Sequence, residues 1–155
     1  MSNHSSELSA RSPFRLDGHR ALVTGGTQGV GAAIAMSIAR AGADVLLLGL
    51  RDDDFAQRTL AACRDQGVTA DLLTIDLAQP PPRYIDSLMA QIDQTIPGID
   101  LVVNNAGTYI DPPFFELDFE CFEKTMHLNV AAGFFLTQSI SRRWVDQGVK
   151  GRVLF

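Results

Sequence analysis

Short apolar runs alternate with helical patterns along most of this chain of 155 residues. The runs predicted as buried strands are 21–23, 44–48, 69–75, 101–103 and 151–155. The segments predicted as helices are 31–41, the residues after a possible cap at 52–54 as far as Gly67, 84–94 and 119–147. Units in which a helix follows each strand imply a parallel sheet covered by helices on both faces. Right-handed connections then make the predicted fold α/β, with a doubly wound parallel sheet.

The composition is that of an ordinary globular domain and argues against several classes of protein. The net charge is -5, so the basic surface typical of nucleic-acid binding is not expected. No apolar run is long enough to cross a bilayer. The charge and the short apolar runs together mean that neither a nucleic acid nor a membrane is a predicted partner. Cys63 and Cys121 lie far apart, which predicts neither a disulfide framework nor a metal site and suits the cytoplasm.

The N-terminal segment MSNHSSELSARSP is polar, rich in serine and without the apolar stretch of a secretory signal. We predict that residues 1–14 form a disordered tail. The remaining residues, 15–155, are enough for one domain with a hydrophobic core.

The first predicted strand leads directly into a glycine-rich stretch, TGGTQGVG, at residues 24–31. Gly25, directly after the strand, allows a sharp turn with positive φ. A glycine at the start of the following helix removes the Cβ that would keep a ligand from the backbone. The free N–H groups of the helix N-terminus then attract a phosphate. The strand before and the helix after are the context that such a motif requires. The alternative is a turn whose glycines only let the helix pack on the strand.

The spacing TGxxxGxG and three further stretches resemble the short-chain dehydrogenase/reductase family. NNAG, at residues 104–107, follows the fourth predicted strand, where the family carries that sequence. Asp76 and Leu77 follow the third strand, where the family uses an Asp to hold the adenine amino group. Asn129 lies on the long predicted helix, where the family places its catalytic asparagine. The resemblance covers roughly residues 15–155.

The NNAG stretch also has a direct physical interpretation. It lies at the carboxyl end of a central strand, the edge where open α/β sheets bind ligands. Ala106 and Gly107 are small enough to let the backbone approach a ring. Asn104 and Asn105 can tie neighbouring strands together, so a polar turn that stabilises the sheet is an alternative that is compatible with binding.

The other two positions have structural alternatives as well. Asp76 could equally cap the loop that follows it. Asn129 shares a helical face with Phe122 and Met126, and an asparagine on an apolar face costs free energy unless its amide is paired. A buried asparagine satisfied within the core is therefore the alternative to a catalytic one.

The resemblance implies a Rossmann-type domain that binds NAD(P), with about five of the family's seven strands present. It implies that Asn129 is catalytic, its helix turn helping to hold a water in a proton relay, and no metal is predicted. The residues predicted to bind the cofactor are Gly25, Thr27, Gln28, Gly29, Val30, Gly31, Arg51, Asp76, Leu77, Asn104, Asn105, Ala106 and Gly107.

The end of the second strand bears on the choice of cofactor. In family members that prefer NAD, an Asp at about the position of Gly49 binds the ribose 2′-hydroxyl, which glycine cannot do. Arg51 could instead pair with the 2′-phosphate of NADP. Asp52 and Asp53 follow immediately and could bind ribose, repel phosphate or cap a helix. We predict NADP, with NAD as the alternative.

The family's catalytic Tyr and Lys are not found in this sequence. The two tyrosines are Tyr84 and Tyr109, and the residues four positions later are Leu88 and Pro113 instead of lysine. We therefore interpret GRVLF, residues 151–155, as the fifth of seven strands and expect the domain to be truncated there. The 155 residues alone are predicted to be inactive.

The function that the resemblance implies is hydride transfer between the cofactor and a small alcohol or carbonyl substrate, by a protein that forms a homo-oligomer at full length. Two alternatives stay open. One is a naturally short, non-catalytic nucleotide-binding module. The other is a relative of the sugar-nucleotide epimerases, against which NNAG and the glycine spacing argue.

Overall fold

The structure is a computed structural model that describes residues 14–109 and 112–155. The predicted disordered tail lies almost entirely outside the described residues. In the described part of the chain, no helix is both long enough and apolar enough to cross a membrane.

A single five-stranded sheet forms the centre of the molecule, with the strand order β3-β2-β1-β4-β5 and every pairing parallel. The strands are β1 (Arg20–Thr24), β2 (Asp44–Gly49), β3 (Ala70–Thr74), β4 (Leu101–Val103) and β5 (Arg152–Leu154). The α/β Rossmann-type fold and its five strands are confirmed, and each strand lies within about a residue of its predicted position. After β3 the chain crosses to the other side of β1, so β1 and β4 lie side by side although β4 follows far later in sequence.

Five α-helices occur in the described residues, two packed on each face of the sheet and one that has no buried residue. They are α1 (Gly29–Arg40), α2 (Asp54–Arg64), α3 (Ile85–Thr95), α4 (Phe119–Met126) and α5 (Ala132–Gln147). Successive strand residues point to opposite faces, so each strand contributes to two cores. Leu22 of β1 packs in one core with side chains of α3 and α5. Val23 packs in the other core with side chains of α1 and α2.

Local signals in the sequence begin and end these helices. The Asp53 carboxylate accepts hydrogen bonds from the backbone N–H groups of Phe55 and Ala56, as an N-cap of α2 should. Gly148 ends α5 in the left-handed conformation, at φ 67°, where glycine has no steric penalty.

The long helix predicted over 119–147 is interrupted. Residues His127–Ala131 form a turn of π-helix between α4 and α5, and Asn129 lies in it. The helical period of the sequence does not distinguish such a turn, because the chain stays helical before and after it. The π-turn is nevertheless consequential, because single π-turns within α-helices occur often at functional sites.

Candidate functional site

A cleft of about 810 Å³ opens at the carboxyl ends of β1, β2, β3 and β4. This edge, where the strand order reverses, is where open α/β sheets bind ligands. The predicted site residues that line the cleft are Gly25, Thr27, Gln28, Val30, Gly31, Asp76, Leu77, Asn105, Ala106, Gly107 and Asn129. Three predicted residues, Gly29, Arg51 and Asn104, do not line it.

The glycine turn adopts the conformation that its sequence predicts. Gly25 and Gly29 have positive φ, at 63° and 56°, so the chain turns sharply out of β1 and into α1. The residue before α1, Gln28, makes no side-chain capping bond, and the first turn of α1 carries no acidic residue. The first N–H groups of this helix are therefore not neutralised by a cap, and they suit an anionic ligand.

The close packing of the turn against α1 requires a glycine at position 31. A Cβ at this position would lie 2.1 Å from the Gly25 carbonyl oxygen and 2.5 Å from Asn105 Nδ2. The missing side chain thus makes room for the protein's own turn, which is the packing role weighed as the alternative to ligand binding. Close packing at Gly31 therefore occurs together with an uncapped N-terminus of α1.

Thr24, which the sequence prediction did not include, joins the glycine turn to NNAG. It is 3 % exposed. Its hydroxyl oxygen accepts hydrogen bonds from the N–H groups of Asn105 and Ala106, both at 2.9 Å. In return, the Asn105 side-chain amide donates to the carbonyls of Thr24 and Gly25, at 3.1 and 3.3 Å. The expectation that Asn105 ties neighbouring strands together is confirmed for β1 and β4. The position of Thr24 directly after an apolar run was the available signal.

Asn104 faces away from the cleft, toward α5. Its Nδ2 donates to the Thr137 hydroxyl at 3.0 Å, and its N–H donates to the Leu154 carbonyl of β5 at 2.9 Å. It lines a smaller cavity of about 150 Å³, and its buried Oδ1 has no hydrogen-bond partner among the described residues. Asn104 therefore ties β4 to α5 and β5 in this structure.

Asn129 reaches the cleft from the π-turn and fixes the loop after NNAG. Its side-chain oxygen accepts from the Thr108 N–H, and its side-chain nitrogen donates to the Thr108 carbonyl, each at 2.8 Å. Both polar atoms of the amide are thus hydrogen-bonded, but to the wall of the cleft, and Asn129 is exposed and not buried in the core. These two hydrogen bonds place Asn129 beside Thr108, and both line the cleft together with Tyr109.

Asp76 and Leu77 line the cleft at the end of β3. The Asp76 carboxylate accepts from the Ala78 N–H at 3.0 Å and from Gln79 Nε2 at 3.1 Å, so the capping role weighed for it is present. Tyr84 lies buried nearby, and its hydroxyl has no partner among the described residues. Burial first, and the negative charge of Asp76 second, raise the pKa of Tyr84 to about 12.

Three charged residues, Arg51, Asp52 and Asp53, follow the end of β2. Gly49 lines the cleft, and Arg51 is exposed just past it. Within the part of the chain that the structure describes, no hydrogen bond or ion pair engages Arg51. Asp53 is occupied in capping α2, and Asp52 accepts a hydrogen bond from Gln57. Of the charged groups here, Arg51 is the one with its hydrogen-bonding capacity unused.

A parallel sheet of this order, with a glycine turn leading into an open helix terminus, defines a nucleotide-binding α/β domain. The family model described as short chain dehydrogenase matches residues 19–155, and the chain belongs to that family.

Curated relatives match over most of this chain. An L-rhamnose 1-dehydrogenase (NADP(+)) of Thermoplasma acidophilum is 30% identical over 139 residues, which are 88% of this chain and 53% of the relative. A gluconate 5-dehydrogenase of Gluconobacter oxydans is 32% identical over 141 residues, 91% of this chain and 54% of the relative. The chain thus spans about half the length of these relatives.

Solved structures show the same likeness. A 3-oxoacyl (acyl-carrier-protein) reductase of Agrobacterium tumefaciens C58, with NADP bound, has a TM-score of 0.80 and 29% identity, covering 99% of this chain and 57% of that one. A short chain dehydrogenase of Burkholderia cenocepacia J2315 in complex with NADP has a TM-score of 0.76 and 34% identity, covering 83% of this chain and 51% of that one.

Proposed function

We propose that this chain forms the cofactor-binding part of an NADP-dependent oxidoreductase that interconverts an alcohol and a carbonyl compound. The uncapped N-terminus of α1 at the cleft carries this proposal. Its N–H groups, presented by the turn at Gly25 and Gly29, suit the pyrophosphate of a dinucleotide. The cleft, at about 810 Å³, is roomy, and its small residues Ala106 and Gly107 leave the backbone open to a flat ring.

Different residues of this chain are proposed to contact the two ends of the cofactor. Asp76 and Leu77 lie where the adenine is expected, and the Asp76 carboxylate can accept from an exocyclic amine. The cofactor, when bound, supplies the hydride acceptor or donor. Asn129 holds Thr108 and the loop beside the nicotinamide end, and its π-turn is the proposed point of contact with a proton-relay water.

The preference for NADP over NAD rests on Arg51. Its guanidinium is exposed and unpaired among the described residues, while Asp52 and Asp53 are turned to α2. A free guanidinium suits the 2′-phosphate, which it can bind through a charge-assisted fork. Two of the similar solved structures contain bound NADP, which agrees with this proposal.

We assign no proton-transferring Tyr or Lys of the reaction to these 155 residues. General acid–base catalysis by the family's Tyr and Lys needs a tuned pair, and neither tyrosine is followed by lysine four residues later. We therefore propose that these 155 residues alone bind the cofactor but do not turn over substrate. The whole protein is proposed to be a cytoplasmic homo-oligomer acting on a small molecule.

Two measurements test the function. We expect NADPH to bind the protein, as followed by cofactor fluorescence, and no binding of either cofactor would contradict the proposal. The reading frame after the codon for Phe155 separates the alternatives. A continuation that encodes a Tyr followed four residues later by Lys supports the enzyme, whereas a stop codon supports a non-catalytic nucleotide-binding module.

The selectivity is tested by Arg51→Ala. A hydrogen bond to a charged group is typically worth about 1.5–3 kcal/mol, so the preference for NADP over NAD should fall by roughly tenfold or more. The matched control is Arg142→Ala, which removes an exposed arginine of α5 that does not line the cleft. If Arg51→Ala lowers the affinity for NADP and for NAD equally, Arg51 does not bind the 2′-phosphate.

A further inference from the structure

Gly49, the last residue of β2, is a glycine because of one neighbouring side chain. It is buried, it lines the cleft, and its φ is not among the positive values that would require glycine. A Cβ at this position would lie 2.4 Å from the Cγ2 methyl of Thr27, far inside normal carbon contact. The next nearest atoms, Leu72 Cδ1 and Thr27 Oγ1, lie at 3.4 Å, which is ordinary contact. The Thr27 methyl is therefore the one of these atoms that a side chain at position 49 would overlap.

The backbone of Thr27 is held in place. Its backbone carbonyl accepts a hydrogen bond from the Thr59 hydroxyl of α2 at 2.9 Å, and Thr59 is 6 % exposed. The β-branched side chain of threonine is restricted at χ1, so moving the methyl away from Gly49 requires a change to another rotamer. The turn that carries Thr27 is fixed further by Gly26, whose N–H donates to the Leu48 carbonyl at 3.2 Å.

We propose that Thr27 determines cofactor selectivity by excluding an acidic side chain from position 49; this inference rests on the NADP-binding function proposed above. A carboxylate at the end of the second strand is the group that binds a ribose 2′-hydroxyl in NAD-binding domains of this type. The same carboxylate would repel a 2′-phosphate. Thr27 thus keeps the ribose end of the cleft open to NADP, while Arg51 supplies the positive charge.

The test compares four variants: Gly49→Asp, Thr27→Ala, Thr27→Ala/Gly49→Asp and Thr27→Val/Gly49→Asp. Alanine removes the obstructing methyl, whereas valine keeps the branched shape of threonine and removes only its hydroxyl. Thermal unfolding reports the steric conflict without any cofactor. Fluorescence titration with NADH and NADPH reports selectivity, with Thr27→Ala as the reference for the double variant that contains it.

We expect Gly49→Asp to lower the unfolding midpoint by about 5 °C or more, because overpacking a fixed turn strains it. Thr27→Ala/Gly49→Asp should recover most of this loss, and Thr27→Val/Gly49→Asp should not. Relative to Thr27→Ala, the recovered variant should shift its preference at least tenfold toward NADH.

Two results would overturn the proposal while leaving the proposed function intact. One is a Gly49→Asp variant as stable as the parent. The other is a recovered variant that still prefers NADPH to the same extent as Thr27→Ala. If the parent protein binds neither cofactor, the proposed function itself fails, and the selectivity proposal fails with it.

Discussion

One buried hydroxyl, that of Thr24, holds together the two sequence motifs of the site. It accepts from the N–H groups of Asn105 and Ala106 and donates to the Val103 carbonyl at 3.4 Å. The sequence predicts both motifs but not this link, because Thr24 and Asn105 are 81 residues apart. Their contact depends on the register of β1 against β4, which local pattern does not contain.

Thr24→Val tests this link. The substitution keeps the shape of the side chain and leaves two buried N–H groups without an acceptor, each at a cost of roughly 1–3 kcal/mol. We expect the free energy of unfolding in urea to fall by about 2–4 kcal/mol and cofactor affinity to fall with it. Thr24→Ser, which retains the hydroxyl, is the control and should lose much less. Equal losses in the two variants would contradict this, because the hydroxyl would then contribute no more than the methyl group.

Gly31 and Gly29 give a matched comparison within the same turn. A Cβ at Gly31 meets the backbone of Gly25 at 2.1 Å for its oxygen, whereas a Cβ at Gly29 meets nothing within 4 Å. Gly29→Ala should therefore cost only the left-handed backbone penalty, roughly 1–2 kcal/mol. Gly31→Ala must displace the turn and should cost about 3 kcal/mol or more, with loss of cofactor binding.

Urea unfolding of both alanine variants is the measurement. If Gly31→Ala proves no more destabilising than Gly29→Ala, the close approach of the turn to α1 is not as the structure places it. The sequence identifies both glycines, but the pattern alone does not say which serves the ligand and which serves packing. That distinction depends on distances between backbone segments.

Among the elements, the π-turn at His127–Ala131 is the part that sequence reasoning missed. Apolar residues recur at helical spacing on both sides of it, so the sequence predicts one continuous helix. Asn129 is the visible signal, since its polar amide interrupts an apolar face. The site prediction named Asn129, but its pairing with Thr108 at 2.8 Å could not be predicted without the path of the loop after NNAG.

The end of α5 depends on a contact between Trp144 and Gly151. The indole N–H of Trp144 donates to the Ile99 carbonyl at 2.6 Å, which fastens α5 beside β4. A Cβ at Gly151 would lie 2.2 Å from Trp144 Cε3. We expect Gly151→Ala to displace the ring, break this hydrogen bond and lower the free energy of unfolding by about 2–3 kcal/mol.

Tryptophan fluorescence measures this directly, because the chain contains one Trp. The emission of Gly151→Ala should move to longer wavelength as the indole gains water. Lys150→Ala, at the exposed neighbouring position, should leave both emission and stability unchanged. Unchanged emission in a folded Gly151→Ala variant would contradict the packing of α5 described above.

At the scale of the whole molecule, the alternation of strands and helices was enough to predict a parallel, doubly wound sheet. The buried runs 44–48 and 101–103 were the clearest evidence, because they are continuous apolar segments, as strands covered on both faces require. The strand order was not predicted, because the pattern does not say that the chain crosses to the other side of β1 after β3.

The two edges of the sheet differ in their protection against pairing with other chains. β3 carries Asp71, which forms an ion pair with Arg64 at 3.2 Å, and charges discourage pairing at an edge. No strand in the described residues pairs with the outer side of β5. Leu154 is 52 % exposed there and Phe155 is 83 % exposed. Leu154 also lines an apolar groove of about 540 Å³ between α1 and the sheet.

We therefore expect the 155-residue chain to self-associate along β5. An unpaired strand with adjacent apolar surface is a template for pairing with another copy. Leu154→Lys/Phe155→Lys should shift sedimentation toward the monomer, because each lysine would have to be desolvated in a paired edge. Thr74→Lys, which places the same charge at the exposed end of β3, is the control and should leave association unchanged. A parent chain that stays monomeric across concentration and melts in one cooperative step would contradict this prediction, because the outer edge of β5 would then need no partner.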